Sequence, residues 1–289
     1  MKKDNFGIIC FDKKYDTSLY NNYRLALENY FLINNFNDIK SINDLEGIEY
    51  IFIIDEHMTR DIWMKKIFID FVNRKKIKVV VFNFEKIFNS VFKSNIIFQK
   101  ELEKFKNLYQ FPSDVDDANI LNKKFIAKQL LSKNSQLKVS IEHKKKKSNI
   151  LFLGSSKQRL INLKIRNPYY EARNQTLKDF KKIYPNLKMK INKSYKYEMY
   201  LRELASYKYI LNPIGTGNFI NIRFYEALEL GCIPIQQITE NMIPRYKELD
   251  FCLSFFKPID LNLNDFHFKK FDYYLEDYFN EIDLKNLIS

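Results

Sequence analysis

The chain has 289 residues, 46% of them hydrophobic, which is enough for one large domain or two smaller ones. No apolar run reaches the roughly 18 residues of a membrane span, and the cysteines Cys10, Cys232 and Cys252 lack metal-site or disulfide spacing. The net charge of +13 favours anionic partners, namely nucleotide phosphates, a lipid-linked acceptor at an anionic membrane or nucleic acid, unless it only maintains solubility. We therefore expect a cytoplasmic protein, with peripheral association at a membrane as a second option.

The first half of the chain alternates apolar runs with stretches of helical periodicity. The runs FGIICF, YIFIID and KVVVFNF, at residues 6–11, 50–55 and 78–84, predict strands that are too apolar to have one face in water. Helices are predicted at residues 18–31, 59–74 and 119–133. This βαβ alternation is typical of a parallel sheet that is covered on both sides by helices.

The second half repeats the pattern after the lysine-rich segment EHKKKKSN, residues 142–149, which we interpret as a solvated linker. Strands are predicted at residues 150–153, 187–191, 209–211, 232–235 and 251–256. Helices are predicted at residues 167–184, 197–206, 220–230 and 240–249, with one or two more after residue 261.

The sequence therefore predicts an α/β protein with three parts. An N-terminal domain spans residues 1–145, a C-terminal domain spans residues 146–260, and a helical segment at residues 261–289 packs back on the N-terminal domain. Because the helical segment is acidic, the positive charge is expected to belong to both α/β domains.

One stretch, NPIGTGNFINIRFYEALELGCIPIQ at residues 212–236, places glycines on both sides of a predicted helix. Gly215 and Gly217 precede the helix, where glycine can adopt φ > 0 and lets backbone approach a ligand closely. Gly231 follows the helix as a left-handed cap. Because the start of a helix has unpaired N–H groups, the stretch predicts an anion site before the helix.

Two charged residues of the predicted helix point to the same chemistry. Arg223 and Glu226 are three residues apart and therefore neighbours on the helix surface. An arginine can bind a diphosphate with two hydrogen bonds, and a glutamate can accept two ribose hydroxyls. The alternative is a surface ion pair on a helix that only packs, since the loop has neither GK[ST] nor GxGxxG.

The segment GTGNFINIRFYEALELGCIPIQ resembles the nucleotide-sugar-binding segment of GT-B glycosyltransferases, most closely the exostosin-like family. It shares with that family a small-residue loop, the R-x-x-E pair, EAL and G-C-I-P. The upstream run ILFLGSSKQR and the basic helix after it are similar to the opening of the same domain. The resemblance covers residues 150–256 and implies a GT-B fold, with two Rossmann-like αβα domains facing a cleft and a C-terminal closing helix.

The resemblance also implies roles for individual residues. Arg223 matches the arginine that contacts phosphate, and Glu226 matches the glutamate that contacts ribose. The other donor-binding residues that it implies or that lie beside the motif are Gly154, Lys157, Arg159, Arg173, Pro213, Gly215, Thr216, Gly217, Asn218 and Asn221. The expected partners are a nucleotide sugar and a glycan or lipid-linked saccharide. Because no DxD metal motif precedes a plausible donor loop, and because cationic side chains can stabilise the leaving diphosphate, we expect no metal and no other cofactor.

Glycosyl transfer with inversion needs a general base for the acceptor hydroxyl. In a doubly wound domain this group is expected just after the carboxyl end of a strand. The candidates are Asp55, Glu56 and His57 in FIIDEHMTRD, followed by Asp12 and Asp16 in CFDKKYD. Each has a plainer alternative, since Asp55 could only cap the next helix and His57 could be an ordinary loop residue.

The leading hypothesis is a glycosyltransferase that moves a sugar from a UDP- or GDP-linked donor to a glycan or glycolipid hydroxyl, with inversion. A second hypothesis is a DNA glycosyltransferase that acts on modified bases, because phage DNA glucosyltransferases have a similar N-F-I-x-x-R-x-x-E segment and the charge of +13 suits a duplex. A third is a non-catalytic basic protein that binds an anionic polymer or membrane.

Overall fold

The structure is a computed structural model that describes residues 5–9, 18–33, 36–55, 60–84, 87–88, 93–135, 146–154, 168–191, 195–215, 217–263 and 270–289. Contacts divide the chain into two compact units. The first unit is Met1–Ser135 with Tyr273–Ser289, and the second unit is Gln136–Asp272.

The first unit contains a five-stranded parallel sheet. Its strands are β1 (Phe6–Ile9), β2 (Asn37–Asp38), β3 (Tyr50–Asp55), β4 (Lys78–Asn83) and β5 (Leu108–Pro112), in the order β2-β1-β3-β4-β5. Its helices before the second unit are α1 (Ser18–Phe31), α2 (Arg60–Trp63), α3 (Lys66–Lys75), α4 (Lys93–Leu102) and α5 (Val115–Ile120). Trp63, Phe68 and Phe98 from α2, α3 and α4 pack with Ile53 and Val81 on one face, so the apolar strands have no wet face there.

The second unit contains another five-stranded parallel sheet. Its strands are β6 (Lys147–Gly154), β7 (Lys188–Ile191), β8 (Tyr207–Asn212), β9 (Ile233–Gln237) and β10 (Leu253–Phe255), in the order β10-β9-β8-β6-β7. Its helices are α6 (Pro168–Ile183), α7 (Tyr197–Ala205) and α8 (Ile222–Glu229). Phe180 of α6 belongs to the core on one face of this sheet, and Leu204 of α7 and Ala227 of α8 belong to the core on the other.

Both sheets are wound in the same way. When the strands of each unit are numbered along the chain, both orders read 2-1-3-4-5, a doubly wound Rossmann-like topology. The predicted α/β class with two Rossmann-like units is therefore confirmed. In such a sheet the strand order reverses between the first and third strands, and ligands bind outside the carboxyl ends of the strands there. The two switch points are β1/β3 and β6/β8.

Residues 273–289 return to the first unit as α9 (Leu275–Glu281) and α10 (Leu284–Ile288). α9 packs against α1, and the ring of Phe279 lies 6.0 Å from that of Tyr23 and 5.9 Å from that of Phe82. Leu275 N donates to Leu131 O at 2.9 Å. This returning segment, which we call the closing segment, therefore completes the core on the second face of the first sheet.

A buried carboxylate ties the closing segment to the rest of the first unit. Glu276 is only 6% exposed. Its carboxylate accepts hydrogen bonds from Asn29 Nδ2 at 3.0 Å, from Ser132 Oγ at 2.6 Å and from Lys133 N at 3.0 Å. A buried carboxylate is stable only when it is hydrogen-bonded, so these bonds fasten the closing segment to α1 and to residues 132–133.

The prediction of a helix at residues 119–133 is wrong. α5 stops where Asn122 adopts a left-handed backbone with φ of 50°, which a helix cannot continue. Residues 126–132 are buried without regular secondary structure. Their backbone groups form hydrogen bonds with other elements, for example from Ala127 N to Pro112 O of β5 at 2.9 Å. Apolar residues in this segment therefore reflect burial on all sides and not the apolar face of a helix.

Two other predicted helices are broken. The helix predicted at residues 59–74 is divided into α2 and α3 after Trp63. In one straight helix the side chains of Trp63 and Phe68 would point about 140° apart around the helix axis, and they could not both be buried against the same core. Residues 240–249 belong to two short 3-10 helices, Glu240–Arg245 and Lys247–Phe251, because Pro244 cannot donate a backbone hydrogen bond.

Two expectations about charge also change. The lysine-rich segment is not solvated throughout, since Lys147 begins β6 and Lys146 Nζ donates to Ala205 O at 3.1 Å and Leu230 O at 2.8 Å. The positive charge is not shared either, since the second unit has 25 Lys and Arg against 13 Asp and Glu, and the first unit has 23 against 22. Among the described helices, none is long and apolar enough to cross a membrane.

Candidate functional site

The candidate site lies at the carboxyl edge of the second sheet, at its switch point. β6 ends at Gly154 and β8 ends at Asn212, and these strands are neighbours in the sheet. Residues 213–221 connect β8 to α8. The glycine-containing stretch therefore begins at the place where a doubly wound sheet opens a crevice for a ligand.

A chain of amide side chains fixes the loop after β8. Asn212 Nδ2 donates to Gln236 Oε1 at 2.5 Å, and Asn212 Oδ1 accepts from Asn221 Nδ2 at 2.8 Å. At the neighbouring residue of β9, Gln237 Oε1 accepts from Ile214 N at 3.1 Å. Because buried amides are costly unless they are bonded, this chain holds both ends of the loop in one geometry.

The start of α8 differs from the expected anion site. The helix begins at Ile222, and its first amides are occupied: Arg223 N donates to Asn221 Oδ1 at 3.1 Å, and Phe224 N donates to Asn221 O at 3.0 Å. Asn221 is therefore the helix cap, and two of the amides expected to face an anion are already bonded. At the other end, Gly231 has φ of 65°, which confirms the predicted left-handed cap.

Arg223 lies against the end of β6. Its guanidinium carbon is 5.8 Å from the centroid of the Phe152 ring, and a Cβ on Gly154 would lie 2.9 Å from Arg223 Nη2. The Nε of Arg223 is buried and has no hydrogen-bond acceptor among the residues that the structure describes. A buried cationic N–H without an acceptor is costly, which favours a ligand oxygen as its partner.

A second arginine approaches the loop from α6. Arg173 Nε donates to Ile214 O at 3.3 Å, and Arg173 Nη2 occupies the space that a Cβ on Gly215 would need. Neither Gly215 nor Gly154 has a left-handed φ, so the expectation of φ > 0 at Gly215 is wrong. Both glycines are required for the close approach of an arginine side chain, not for an unusual backbone conformation.

Gly215→Ala is expected to weaken binding of inorganic pyrophosphate about tenfold, because the new methyl group displaces the Arg173 guanidinium and removes one charged hydrogen bond. The free energy of unfolding should change by less than about 1 kcal/mol, because the displaced atoms are the end of a flexible side chain. Isothermal titration calorimetry and chemical unfolding measure the two effects. Arg173→Ala should weaken binding equally, and the double variant no further. Wild-type affinity in Gly215→Ala would contradict this role of Arg173.

Glu226 is buried with an exposure of 1%, which excludes the alternative of a surface ion pair. Its Oε1 accepts from Tyr197 Oη at 2.8 Å, and its Oε2 accepts from Tyr200 Oη at 2.7 Å. Both tyrosines are on α7, and their rings stack with centroids 6.0 Å apart. The carboxylate expected to contact ribose therefore accepts a tyrosine hydroxyl on each oxygen.

Tyr200 is a hydrogen-bond donor at all physiological pH values. Burial, and then the negative charge of Glu226, raise the pKa of Tyr200 well above its ordinary value. The positive charge of Arg223 acts in the opposite direction and lowers this pKa. The protonated Tyr200 hydroxyl therefore remains a donor to the Glu226 carboxylate.

Three other predicted donor-binding residues, Pro213, Gly217 and Asn218, lie in the loop after β8. Pro213 and Gly217 are buried, and Asn218 is half-buried. The remaining predicted residues, Lys157, Arg159 and Thr216, lie outside the described residues.

In the sequence, the candidate bases follow β1 and β3, the two strands at the switch point of the first sheet. Asp55 is the last residue of β3, and the description covers only its backbone. Glu56 and His57 follow it in the sequence, while Asp12 and Asp16 follow β1, the strand paired with β3. These four residues lie outside the described part of the chain, so the identity of the base stays a prediction.

Sequence reasoning missed the residues that bond to Glu226 and to the loop after β8. Tyr197 and Tyr200 precede Glu226 by more than 25 positions, and no spacing links them to it. Gln236 and Gln237 did carry a signal, because polar side chains at the carboxyl end of an apolar strand indicate the edge where ligands bind.

Among the described residues, no group of three or more His, Cys, Asp and Glu side chains could hold a metal ion.

Comparisons with known proteins give no sequence match and a weak structural similarity. No protein-family model and no curated protein matches the sequence. A solved structure titled "Crystal Structure of alpha1,3-Fucosyltransferase" is similar with a TM-score of 0.44 and 10% identity, over 88% of this chain and 75% of that chain.

Proposed function

We propose that the chain is a glycosyltransferase that uses a nucleoside-diphosphate sugar, with the donor bound by the second unit. The observation that carries the proposal is a pair of arginines, Arg173 and Arg223, that contact the edge of a doubly wound sheet at its switch point. Gly215 and Gly154 leave the room that these side chains occupy. Planar guanidinium groups suit the oxygens of a diphosphate, since each can donate two parallel hydrogen bonds.

The distribution of charge supports the same proposal. Nearly all of the net charge belongs to the second unit, with 25 Lys and Arg against 13 Asp and Glu. A basic unit attracts an anionic donor and stabilises the negative charge of the leaving diphosphate. In this proposal cationic side chains stabilise the leaving diphosphate in place of a metal ion, and no cofactor is needed.

The proposed reaction is inverting transfer to a hydroxyl of a glycan or a lipid-linked saccharide. A base from the group Asp55, Glu56 and His57, or else Asp12 or Asp16, takes the hydroxyl proton. The acceptor oxygen then bonds to the anomeric carbon while the bond from that carbon to the diphosphate breaks. Two Rossmann-like units are what a GT-B enzyme has, and the R-x-x-E and G-C-I-P motifs suggest the exostosin-like family within that class.

A ribose contact for Glu226 remains part of the proposal, with one structural condition. Ribose hydroxyls reach this carboxylate only if a tyrosine moves, because Glu226 is 1% exposed. Tyr197 is the candidate to move, since it is 37% exposed and begins α7.

A thermal-shift screen tests the proposed function. UDP or GDP at about 100 times its Kd should stabilise the protein by about 2.7 kcal/mol, whereas the matching nucleosides without phosphate should stabilise it far less. Sugar transfer to modified duplex DNA would instead favour a DNA glycosyltransferase. Stabilisation by heparin or anionic vesicles, with no response to any nucleoside diphosphate or its sugar, would contradict the proposal and favour a binding protein.

A further inference from the structure

An exposed surface of the second unit carries large apolar side chains together with lysines. Ile183 is the last residue of α6, and Phe256 and Ile259 follow β10; all three side chains are exposed, Ile259 at 75%. The lysines of the same two segments are exposed as well, namely Lys178, Lys181, Lys182 and Lys257. Single exposed apolar residues are ordinary in proteins, but a group of them bordered by one sign of charge indicates an interaction surface.

The two segments lie side by side. The 3-10 turn Pro258–Asp260 packs beside α6. Ile183 follows Thr176 by seven residues, close to two helical turns, so both lie on the same side of α6. Thr176 Oγ1 accepts from Gln237 Nε2 of β9 at 3.4 Å, and β10 is the next strand beyond β9. Ile183 is therefore on the side of α6 that faces the residues after β10.

The turn after β10 presents an apolar side chain in a fixed conformation. Asp260 N donates to Lys257 O at 2.9 Å, and the Asp260 carboxylate accepts from Lys257 N at 2.9 Å. Pro258 lies between these residues and has a fixed φ. Because the turn is closed in this way, contact of Ile259 with a partner costs little backbone entropy.

Acidic side chains do not cancel the lysines of this surface. Residues 178–183 and 256–260 contain four lysines against two aspartates. The carboxylate of Asp260 closes the turn, and that of Asp179 lies 3.4 Å from Lys182 Nζ. The surface therefore has a net positive charge beside exposed apolar groups, which is the combination that an anionic membrane attracts.

We infer that residues 178–183 and 256–260 form a docking surface for a bilayer that contains anionic phospholipids. Phe256, Ile259 and Ile183 enter the boundary between headgroups and acyl chains, and the lysine ammonium groups contact lipid phosphates. Nucleic acid fits this surface less well, because isoleucine has no aromatic face on which a base stacks. The inference goes beyond the proposed function, because binding at this surface needs no donor.

Binding to vesicles tests the inference. The full chain should bind vesicles of phosphatidylcholine with about a third of phosphatidylglycerol at least about tenfold more tightly than vesicles of phosphatidylcholine alone. Added salt should weaken the binding, because it screens the lysines. Flotation of the vesicles in a density gradient measures both effects. Equal binding to the two kinds of vesicle, or none to either, would overturn the inference.

Substitutions at the docking surface separate its apolar and charged parts. Ile259→Ser should weaken binding to the anionic vesicles about tenfold, because the side chain no longer enters the bilayer. Lys182→Glu together with Lys257→Glu should weaken it at least about 30-fold, because lysines near an anionic surface contribute to binding individually. All three positions are exposed, so the melting temperature should stay close to that of wild type.

Matched substitutions in the first unit are the controls. Ile120→Ser changes an isoleucine of α5 that is also exposed, and Lys66→Glu together with Lys75→Glu reverses two exposed charges of α3. Each control should change vesicle affinity less than about threefold, because these positions lie outside the docking surface. Equal losses in the controls and in the variants of the docking surface would show that only the overall composition matters, and the inference would be wrong.

Ile259→Trp reports directly on insertion into the bilayer. Trp63 is fully buried and gives a constant background, so a change in emission on addition of anionic vesicles comes from the new tryptophan. We expect the emission to move to shorter wavelength, because the indole ring leaves water for the interface of the bilayer. Vesicle binding without this change would place the turn outside the bilayer and contradict the inference.

The two proposals fail in different ways. A protein that binds UDP or GDP but no anionic vesicle keeps the proposed function and loses the inference, whereas vesicle binding with no response to any nucleotide does the reverse. If the protein ignores vesicles but binds duplex DNA or heparin, and the substitutions at Lys182 and Lys257 weaken that binding, the surface is a site for a polyanion and the inference is wrong.

Discussion

Arg223→Ala is expected to weaken binding of UDP or GDP at least about 100-fold. Each charged hydrogen bond to a phosphate oxygen contributes about 1.5–3 kcal/mol, and a guanidinium can donate two of them to one diphosphate. The buried Nε, which has no acceptor among the described residues, is one of the donors that a ligand would satisfy. Calorimetry with purified variants measures the loss, and the melting temperature confirms that the variant is folded.

Matched variants separate the role of Arg223 from the loss of a positive charge. Arg202→Ala removes the same charge from an exposed position of α7, where the side chain pairs with Glu198 at 2.7 Å, and affinity should change less than about twofold. Arg223→Lys keeps the charge without the planar fork and should bind with intermediate affinity. If Arg223→Ala is folded and binds a nucleoside diphosphate as Arg202→Ala does, the donor site is elsewhere.

Glu276→Ala is expected to lower the free energy of unfolding of the first unit by about 3–5 kcal/mol. The change removes the acceptor of Asn29 Nδ2, Ser132 Oγ and Lys133 N, and buried donors without a partner are costly. Trp63 is the only tryptophan of the chain and is fully buried in the first unit, so its fluorescence during urea unfolding reports on this unit.

Glu281→Ala is the control for this prediction. Glu281 is also on α9 but is exposed, where it accepts from Tyr273 Oη at 2.6 Å, and its loss should cost less than about 1 kcal/mol. Equal unfolding midpoints for Glu276→Ala and wild type, followed through Trp63, would show that the closing segment does not support the first unit.

The sequence was sufficient where a periodic pattern was continuous. The bounds predicted for α1 and β3 are those of the structure, because fourteen residues of helical periodicity and a run of five apolar residues before Asp55 leave few alternatives. It failed at residues 119–133, where burial on all sides produces the same apolar density as a helix. β5 was missed, because LYQFP ends in a proline, which is uncommon inside a sheet, and α4 was missed as well.

The candidate site was predictable in position but not in detail. The loop before α8 could be located, because glycines, Arg223 and G-C-I-P are local signals in the sequence. The close approach of Arg173 to Gly215, and the hydrogen bonds of Tyr197 and Tyr200 to Glu226, join residues from different elements. Such contacts depend on how α6, α7 and α8 pack on the sheet, which no spacing along the chain contains.

The route of the chain has a consequence for its synthesis. The first sheet is translated early, but the closing segment that covers it comes after the whole second unit, residues 136–272. At about 5–20 residues per second, a ribosome needs roughly 7–30 s to make that unit. Throughout this time Tyr23 and Phe82 lack Phe279, so the nascent first half exposes an apolar face that chaperones can bind.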